Sequence, residues 1–243
     1  MKNIIITGSE GLIGKQIVKE LAKNKHQLIL IDKKRKKNSK YQYYQCNISS
    51  FKERELILKK IKKKIKRIDC IINNAAITGS SYCEGWNTSF EKQKLKYWKE
   101  VFEVNVTAIF HFCQKLFPLI KKSKNGSVIN ISSIYGVYAP DFSIYKNTKI
   151  NNPAAYSVSK AAVVYLTKWL AKAMAPEIRV NCISPGGVFK KQSDFFKKKY
   201  LKKTALKKDI LPNDIVNLIN FLISEKSSKI SGQNFLVDSY WNG

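Results

Sequence analysis

A chain of 243 residues, 44% hydrophobic and 26% charged, with 11 Gly and 6 Pro, has room for one large core and is neither disordered nor collagen-like. Its apolar runs fall well short of the roughly 20 residues that cross a bilayer. The formal charge of +28 would suit a polyanion, but the basic residues are 41 lysines against four arginines. Phosphate and base readers rely on the guanidinium, so nucleic acid is not expected as a partner.

The chain enters a strand-like run at 2–7 with no signal-peptide pattern before it, which makes the cytoplasm the expected compartment. TGSEGLIG follows, with Gly8, Gly11 and Gly14 spaced three apart as a helix begins over 12–24. Glycines there permit a tight turn and a close approach of pyrophosphate to the backbone, and the helix N-terminus offers free N–H groups. Thr7, Leu12 and Ile13 belong to the same candidate dinucleotide turn. A strand over 27–32 ends at Asp32, 18 residues after Gly14, where a carboxylate accepts from ribose hydroxyls and repels a 2′-phosphate. NAD is therefore the expected cofactor. NADP stays open, because Lys33, Lys34 and Arg35 follow directly.

Further strands are expected at 41–46, 68–73, 127–132, 178–183 and 234–238, and helices at 51–66, 94–122, 154–174 and 212–224. Ile57, Ile61, Ile65 and Ile68 recur at near-helical spacing, so the lysines among them coat a wet helix face. Strands alternating with helices mark a parallel sheet covered on both faces. NCISPGGV ends a strand at Pro185 and Gly186, a turn whose backbone would hold a nicotinamide carboxamide. The stretch 187–208 shows no clean period and is expected as a substrate lid.

Tyr156 and Lys160 stand four apart and share one face of the helix expected at 154–174. A nearby ammonium favours phenolate, and would draw the tyrosine pKa from about 10 towards working pH, where it serves as general acid or base. Tyr145 opens a second such pair, YKNTK. Tyr156 is preferred, because Pro153 can open a helix that continues amphipathically through AAYSVSKAAVVYLTKWLAK. The five cysteines form no CxxC pair and there are two histidines, so neither a disulfide framework nor a metal site is expected.

Together, TGSEGLIG, Asp32, CNIS at 46–49, NNAA at 73–76, VNVT at 104–107, INISSIYG at 129–136, YSVSK at 156–160 and NCISPGGV at 181–188 resemble the short-chain dehydrogenase/reductase family over essentially the whole chain. The resemblance implies a single doubly wound Rossmann domain over 1–243. Its seven-stranded parallel sheet would have order 3-2-1-4-5-6-7 with helices on both faces. It also implies a homodimer or homotetramer built through the two longest helices. Asn47 and Ile48 would lie by the adenine, Asn73 and Ala75 would line the cofactor, and Val188 would touch it.

Ser133, Tyr156 and Lys160 would form the reactive group, with Asn105 holding a water that links Lys160 to solvent. The implied reaction is hydride transfer between NAD(P) and a secondary alcohol or ketone. A sensor protein and a sugar nucleotide epimerase are the alternatives. The glycines read TGxxGxxG rather than TGxxxGxG, NNAA replaces NNAG, and Ser133 and Tyr156 are 23 residues apart, well beyond the usual separation. The extra stretch is expected as an active-site flap at 137–153, since loop closure penalises length only slowly. SIYGVYAPDF and NPAAYSVSK also resemble a bacterial subgroup linked to surface-glycan and flagellin-sugar biosynthesis, which points to a sugar or sugar-derived small molecule.

Overall fold

A computed structural model describes residues 1–36, 38–79, 84–148, 150–189 and 192–241. Its strands are β1 Asn3–Thr7, β2 Gln27–Asp32, β3 Gln42–Gln45, β4 Cys70–Asn73, β5 Gly126–Ile131, β6 Ile178–Pro185 and β7 Asn234–Val237. They form one parallel sheet in the order β3-β2-β1-β4-β5-β6-β7, as expected. The helices are α1 Leu12–Lys23, α2 Phe51–Lys64, α3 Lys96–Phe102, α4 Ala108–Ile120, α5 Ala154–Ala173, α6 Asp194–Lys202 and α7 Pro212–Ile223.

Both faces of the sheet are covered, which is why its strands read as nearly unbroken apolar runs. Successive residues of a strand point to opposite faces. Ile5, Ile29, Ile71 and Val180 pack with α2, α4 and α5, whereas Ile4, Ile6, Leu30, Ile72 and Ile129 pack with α1 and α7. Local chemistry sets the helix ends. Ser50 accepts from the Glu53 N–H at 3.3 Å at the start of α2, and Lys62, Lys63 and Lys64 lie in its last turn, in keeping with the helix dipole. Pro153 precedes α5 and Pro212 opens α7.

The single helix expected over 94–122 is divided. Glu103–Thr107 forms a π-helical turn between α3 and α4, a feature that often accompanies a functional residue. Here that residue is Asn105. The stretch expected as an irregular lid contains α6, which Ser193 caps by accepting from the Phe196 N–H at 3.3 Å. Phe196 and Tyr200, four apart, are its buried face. No helix among the described residues is long and apolar enough to cross a membrane.

Candidate active site

The strand order reverses between β1 and β4, which opens a crevice at the carboxyl ends of the strands. Thr7 closes β1 there; its Oγ accepts from the Asn74 and Ala75 N–H groups, both at 3.1 Å. Gly8 follows at φ +67, and a Cβ on it would lie 2.7 Å from Ala75 Cα. A Cβ on Gly14 would lie 2.1 Å from the Gly8 carbonyl oxygen. The turn is thus compact because side chains are missing from it. The α1 N-cap, Gly11, gives no side-chain hydrogen bond, so the first N–H groups of α1 keep their capacity for an anion. Ser9, 1% exposed, has a buried Oγ without a partner among the described residues. This cradle fits a dinucleotide pyrophosphate. Leu12 and Ile13 follow as the first residues of α1.

Asp32 is 8% exposed and anchored. Its Oδ2 accepts from the Glu10 N–H and its Oδ1 from the Lys34 N–H, both at 2.9 Å. Each oxygen retains a further lone pair for a ribose hydroxyl. Lys33, Lys34 and Arg35 are exposed, and the Glu10 carboxylate beside Asp32 is paired with Lys36 at 2.8 Å. Asn47 is exposed, and its Oδ1 accepts from Ser49 N and Ser49 Oγ at 3.2 and 3.0 Å. Ile48 is buried against the α2 layer.

Two asparagines of the expected site commit their side chains to bonds inside the protein. The Asn73 side chain is buried and donates to Asn130 Oδ1 at 2.8 Å inside the molecule. Its neighbour Asn74 braces the glycine turn, donating to the Thr7 and Gly8 carbonyls at 3.1 and 3.0 Å. The Asn105 side chain is also fully engaged. Its Oδ1 accepts from the Ile77 N–H at 2.8 Å, and its Nδ2 donates to Ile77 O at 3.1 Å and Ser159 Oγ at 2.9 Å. Ser159 Oγ in turn donates to the Tyr156 carbonyl at 2.7 Å. Asn105 therefore pins the loop after β4 to the turn of α5 that carries Tyr156 and Lys160.

Ser133, Tyr156 and Lys160 meet beside this crevice. Ser133 lies just beyond β5, near enough to the Tyr156 hydroxyl to favour its ionised form, and its Oγ accepts from the Tyr135 N–H at 3.2 Å. Ser132 Oγ ties the segment to α5 through Lys160 O at 2.8 Å. Lys160 is buried, with Nζ 5.9 Å from the centre of the Tyr156 ring and donating to Ile131 O at 2.8 Å. Burial draws its pKa down to about 8. Tyr156 does not show the expected depression. Burial raises its pKa, opposed by the nearby Ser133 hydroxyl. Desolvation wins because it acts on the phenolate directly, whereas the Lys160 Nζ stands 5.9 Å from the ring centre and its own pKa is drawn down.

Tyr145, the rival tyrosine, lies in a short 3-10 turn, Phe142–Tyr145, with its hydroxyl 2.8 Å from that of Tyr135. Lys149 of its YKNTK lies outside the described residues, as do Cys83, Lys190 and Lys191. Pro185 ends β6, the Gly186 N–H donates to Val237 O at 2.9 Å, and Val188 packs against the α7 layer. Among the described residues no His/Cys/Asp/Glu group could hold a metal, and Cys46, Cys70, Cys113 and Cys182 are free and buried.

Residues 9–240 match the family model described as enoyl-(acyl carrier protein) reductase. The post-translational flagellin modification protein A of Campylobacter coli is 31% identical over 99% of this chain and 98% of its own length. A 3-oxoacyl-acyl-carrier-protein reductase of Thermotoga maritima is 29% identical over 80% of this chain and 74% of its own. A short chain dehydrogenase of Leptospira borgpetersenii, crystallised with NAD+, superposes with TM-score 0.88 at 34% identity, covering 99% of this chain and 92% of that one. A 4-hydroxyisoleucine dehydrogenase complexed with NADH gives 0.86 at 26% identity, covering 99% and 98%. With a family model matched over almost its whole length and relatives of this kind at 31% and 34% identity, the chain belongs to the short-chain dehydrogenase/reductase family of oxidoreductases.

Proposed function

We propose that the protein interconverts a secondary alcohol and a ketone on a sugar or sugar-derived small molecule, using NAD. The observation that carries this reading is the convergence of Ser133, Tyr156 and Lys160 beside a glycine cradle that ends in an anchored Asp32. When bound, the nicotinamide supplies the hydride donor or acceptor. Ser133 Oγ holds the substrate oxygen, and Tyr156 Oη gives or takes its proton. Lys160 places positive charge behind the ring and, with Ile131 O as its anchor, reaches towards a ribose hydroxyl. Asn105 positions rather than reacts. Pro185, Gly186 and Val188 lie where the nicotinamide end would rest, and Thr7, Gly8, Gly11 and Gly14 where the pyrophosphate would.

The sugar reading is supported by the flagellin-modification relative and by the tyrosine hydroxyls around the site. We also assign the 137–153 and 187–208 segments to a flap and lid over the substrate. Asp141 binds Lys203 at 2.8 Å, and Lys199 donates to Lys146 O at 2.8 Å, so the two segments are tied together. A homo-oligomer is supported by the exposed Phe110 and Trp169 on α4 and α5, with ring centres 6.2 Å apart. A cytoplasmic setting suits the free buried thiols.

The cofactor assignment is tested by fluorescence titration. NADH is expected to bind about tenfold or more tighter than NADPH, because Asp32 opposes a 2′-phosphate. Equal affinities would contradict the assignment. The raised Tyr156 pKa sets a pH signature. Phenol persists through neutrality, so ketone reduction stays level over about pH 6–8 while alcohol oxidation rises with a slope near one. The rise bends over near pH 8, where Lys160 loses its charge. A flat oxidation profile over the same range would remove Tyr156 as the base.

A further inference from the structure

The head of α5 is built without a cap of its own. Its N-cap is Pro153, which makes no side-chain hydrogen bond, and the first N–H groups of a helix have no partner within it. Tyr156 is the third residue of α5, so the proton donor assigned above stands in the turn of the helix that frays first.

The missing cap comes from another part of the chain. Gln93 follows a short 3-10 turn, Phe90–Lys92, in the segment between β4 and α3. Its Oε1 accepts from the Ala154 N–H at 2.9 Å, and its Nε2 donates to the Asn152 carbonyl at 3.4 Å. One side-chain amide, acceptor and donor at once, thus holds the backbone on both sides of Pro153, 61 and 59 positions along the sequence. The shorter bond, to the Ala154 N–H, does what an N-cap side chain does in other helices.

The segment that carries Gln93 is itself fixed. Lys94 N donates to Gly85 O at 2.8 Å, the Tyr97 hydroxyl to Glu84 O at 2.8 Å, and Trp86 Nε1 to Thr78 O at 3.1 Å. Trp86 is 3% exposed and clusters with Val101 and Ala155, and Tyr156 packs against the same cluster. Asn87 Oδ1 accepts from the Asn151 N–H, and Asn152 Oδ1 accepts from Ser157 Oγ at 2.6 Å. The stretch 84–97 therefore grips the entry to α5 through backbone and side chains together.

We propose that Gln93 is a positioning residue for the reaction: it caps α5 from outside the helix and so holds Tyr156 at the depth where its hydroxyl meets the substrate oxygen. A reacting group displaced by about 1 Å loses rate steeply, so a first turn that opens and closes spends part of its time unreactive. Gln93 acts on neither cofactor nor substrate; its effect passes through the backbone from Pro153 to Tyr156. The proposal rests on Tyr156 being the proton donor.

The test compares Gln93→Leu, which keeps the bulk and removes both bonds, with Gln93→Glu, which keeps the acceptor for the Ala154 N–H and places a negative charge at a helix start, where it is favoured. In NAD+-driven oxidation of cyclohexanol by the full chain, Gln93→Leu is expected to lower kcat about three- to tenfold, the worth of one cap, with the KM for NAD+ and the affinity for NADH within about twofold of wild type. Gln93→Glu is expected to bring kcat back to within about twofold. Hydrogen exchange read by mass spectrometry needs no turnover: amides of 151–160 are expected to exchange about three- to tenfold faster in Gln93→Leu, and those of the sheet strands at the wild-type rate. Wild-type kcat, or wild-type exchange over 151–160, in Gln93→Leu would overturn the proposal, as would a Gln93→Glu enzyme as slow as Gln93→Leu. Failure of the underlying reaction centre has its own signature: Tyr156→Phe would then oxidise cyclohexanol as well as the wild type does, while exchange over 151–160 still answers to Gln93.

Discussion

Tyr156→Phe is expected to lower turnover in both directions by about 10²–10⁴-fold, the usual contribution of a positioned general acid or base, while NADH binds within about twofold of wild type. The substitution removes one oxygen and leaves the ring between Gly79 and Lys160 in place; a Cβ on Gly79 would meet the Tyr156 ring at 3.6 Å. The loss is therefore chemical and not a collapse of the crevice. Ser133 cannot substitute as the proton donor at neutral pH, because a hydroxyl with no buried base beside it holds its proton too tightly. Steady-state kinetics beside a cofactor titration separates the two effects. Turnover within tenfold of wild type would move the proton donor elsewhere, with Tyr145 the first place to look.

The second large effect is on stability. Arg54 is 1% exposed between α2 and α4. Its Nε donates to His111 Nδ1 at 3.1 Å, its Nη2 pairs with Glu103 Oε1 at 2.5 Å, and its Nη1 holds the Ile48 carbonyl. His111 Nε2 meets Glu55 at 2.9 Å, and burial keeps the imidazole pKa low, so its neutral form accepts from Arg54. Arg54→Met fills much of the volume but strands three acceptors. Removing one partner of a buried ion pair costs about 3–5 kcal/mol, and the partial exposure of Glu103 puts this case near 3. For a chain of this length that is a fall in Tm of about 6–12 °C. Thermal unfolding of the purified variant measures it, and a shift below about 2 °C would show that the network carries no stability. Glu103 also lies in the π-helical turn that presents Asn105, so a loss of activity should accompany the loss of stability.

The fold could be read from the sequence because most of the strands are short apolar runs and the helices that cover the sheet repeat near 3.6. IIIT, LILID and CIIN carry no competing signal. The flap and lid region resisted that reading for a physical reason. Phe196 and Tyr200 bury against residues more than 40 positions away in sequence, Ile144 and Tyr145 among them, so the period of α6 is set by tertiary partners and not by its own lysine-rich pattern. The π-helical turn was hidden likewise, since VNVT has no breaker and only the Asn105 bonds to Ile77 and Ser159 explain the extra residue.

Within the site, spacing put Tyr156 and Lys160 on one face of α5, where the structure has them together, but spacing cannot report the desolvation that raises the Tyr156 pKa in the protein without cofactor. The different placements of Asn73 and Asn74 follow from strand alternation. Asn73 is the last residue of β4 and faces the α4 layer, while Asn74 is the first beyond it. Gln93 carried no motif. Its signal is a lone amide in a polar stretch, which acquires meaning only once Asn152 and Ala154 are beside it.

A crystal structure of the NADH complex tests the central claim most directly. It is expected to show the adenosine ribose hydroxyls on Asp32, the pyrophosphate over Gly8 to Gly14, and the nicotinamide ring alongside Tyr156 with its ribose at Lys160. A dinucleotide bound with its reactive ring away from Tyr156, or bound outside the crevice between β1 and β4, would contradict the account.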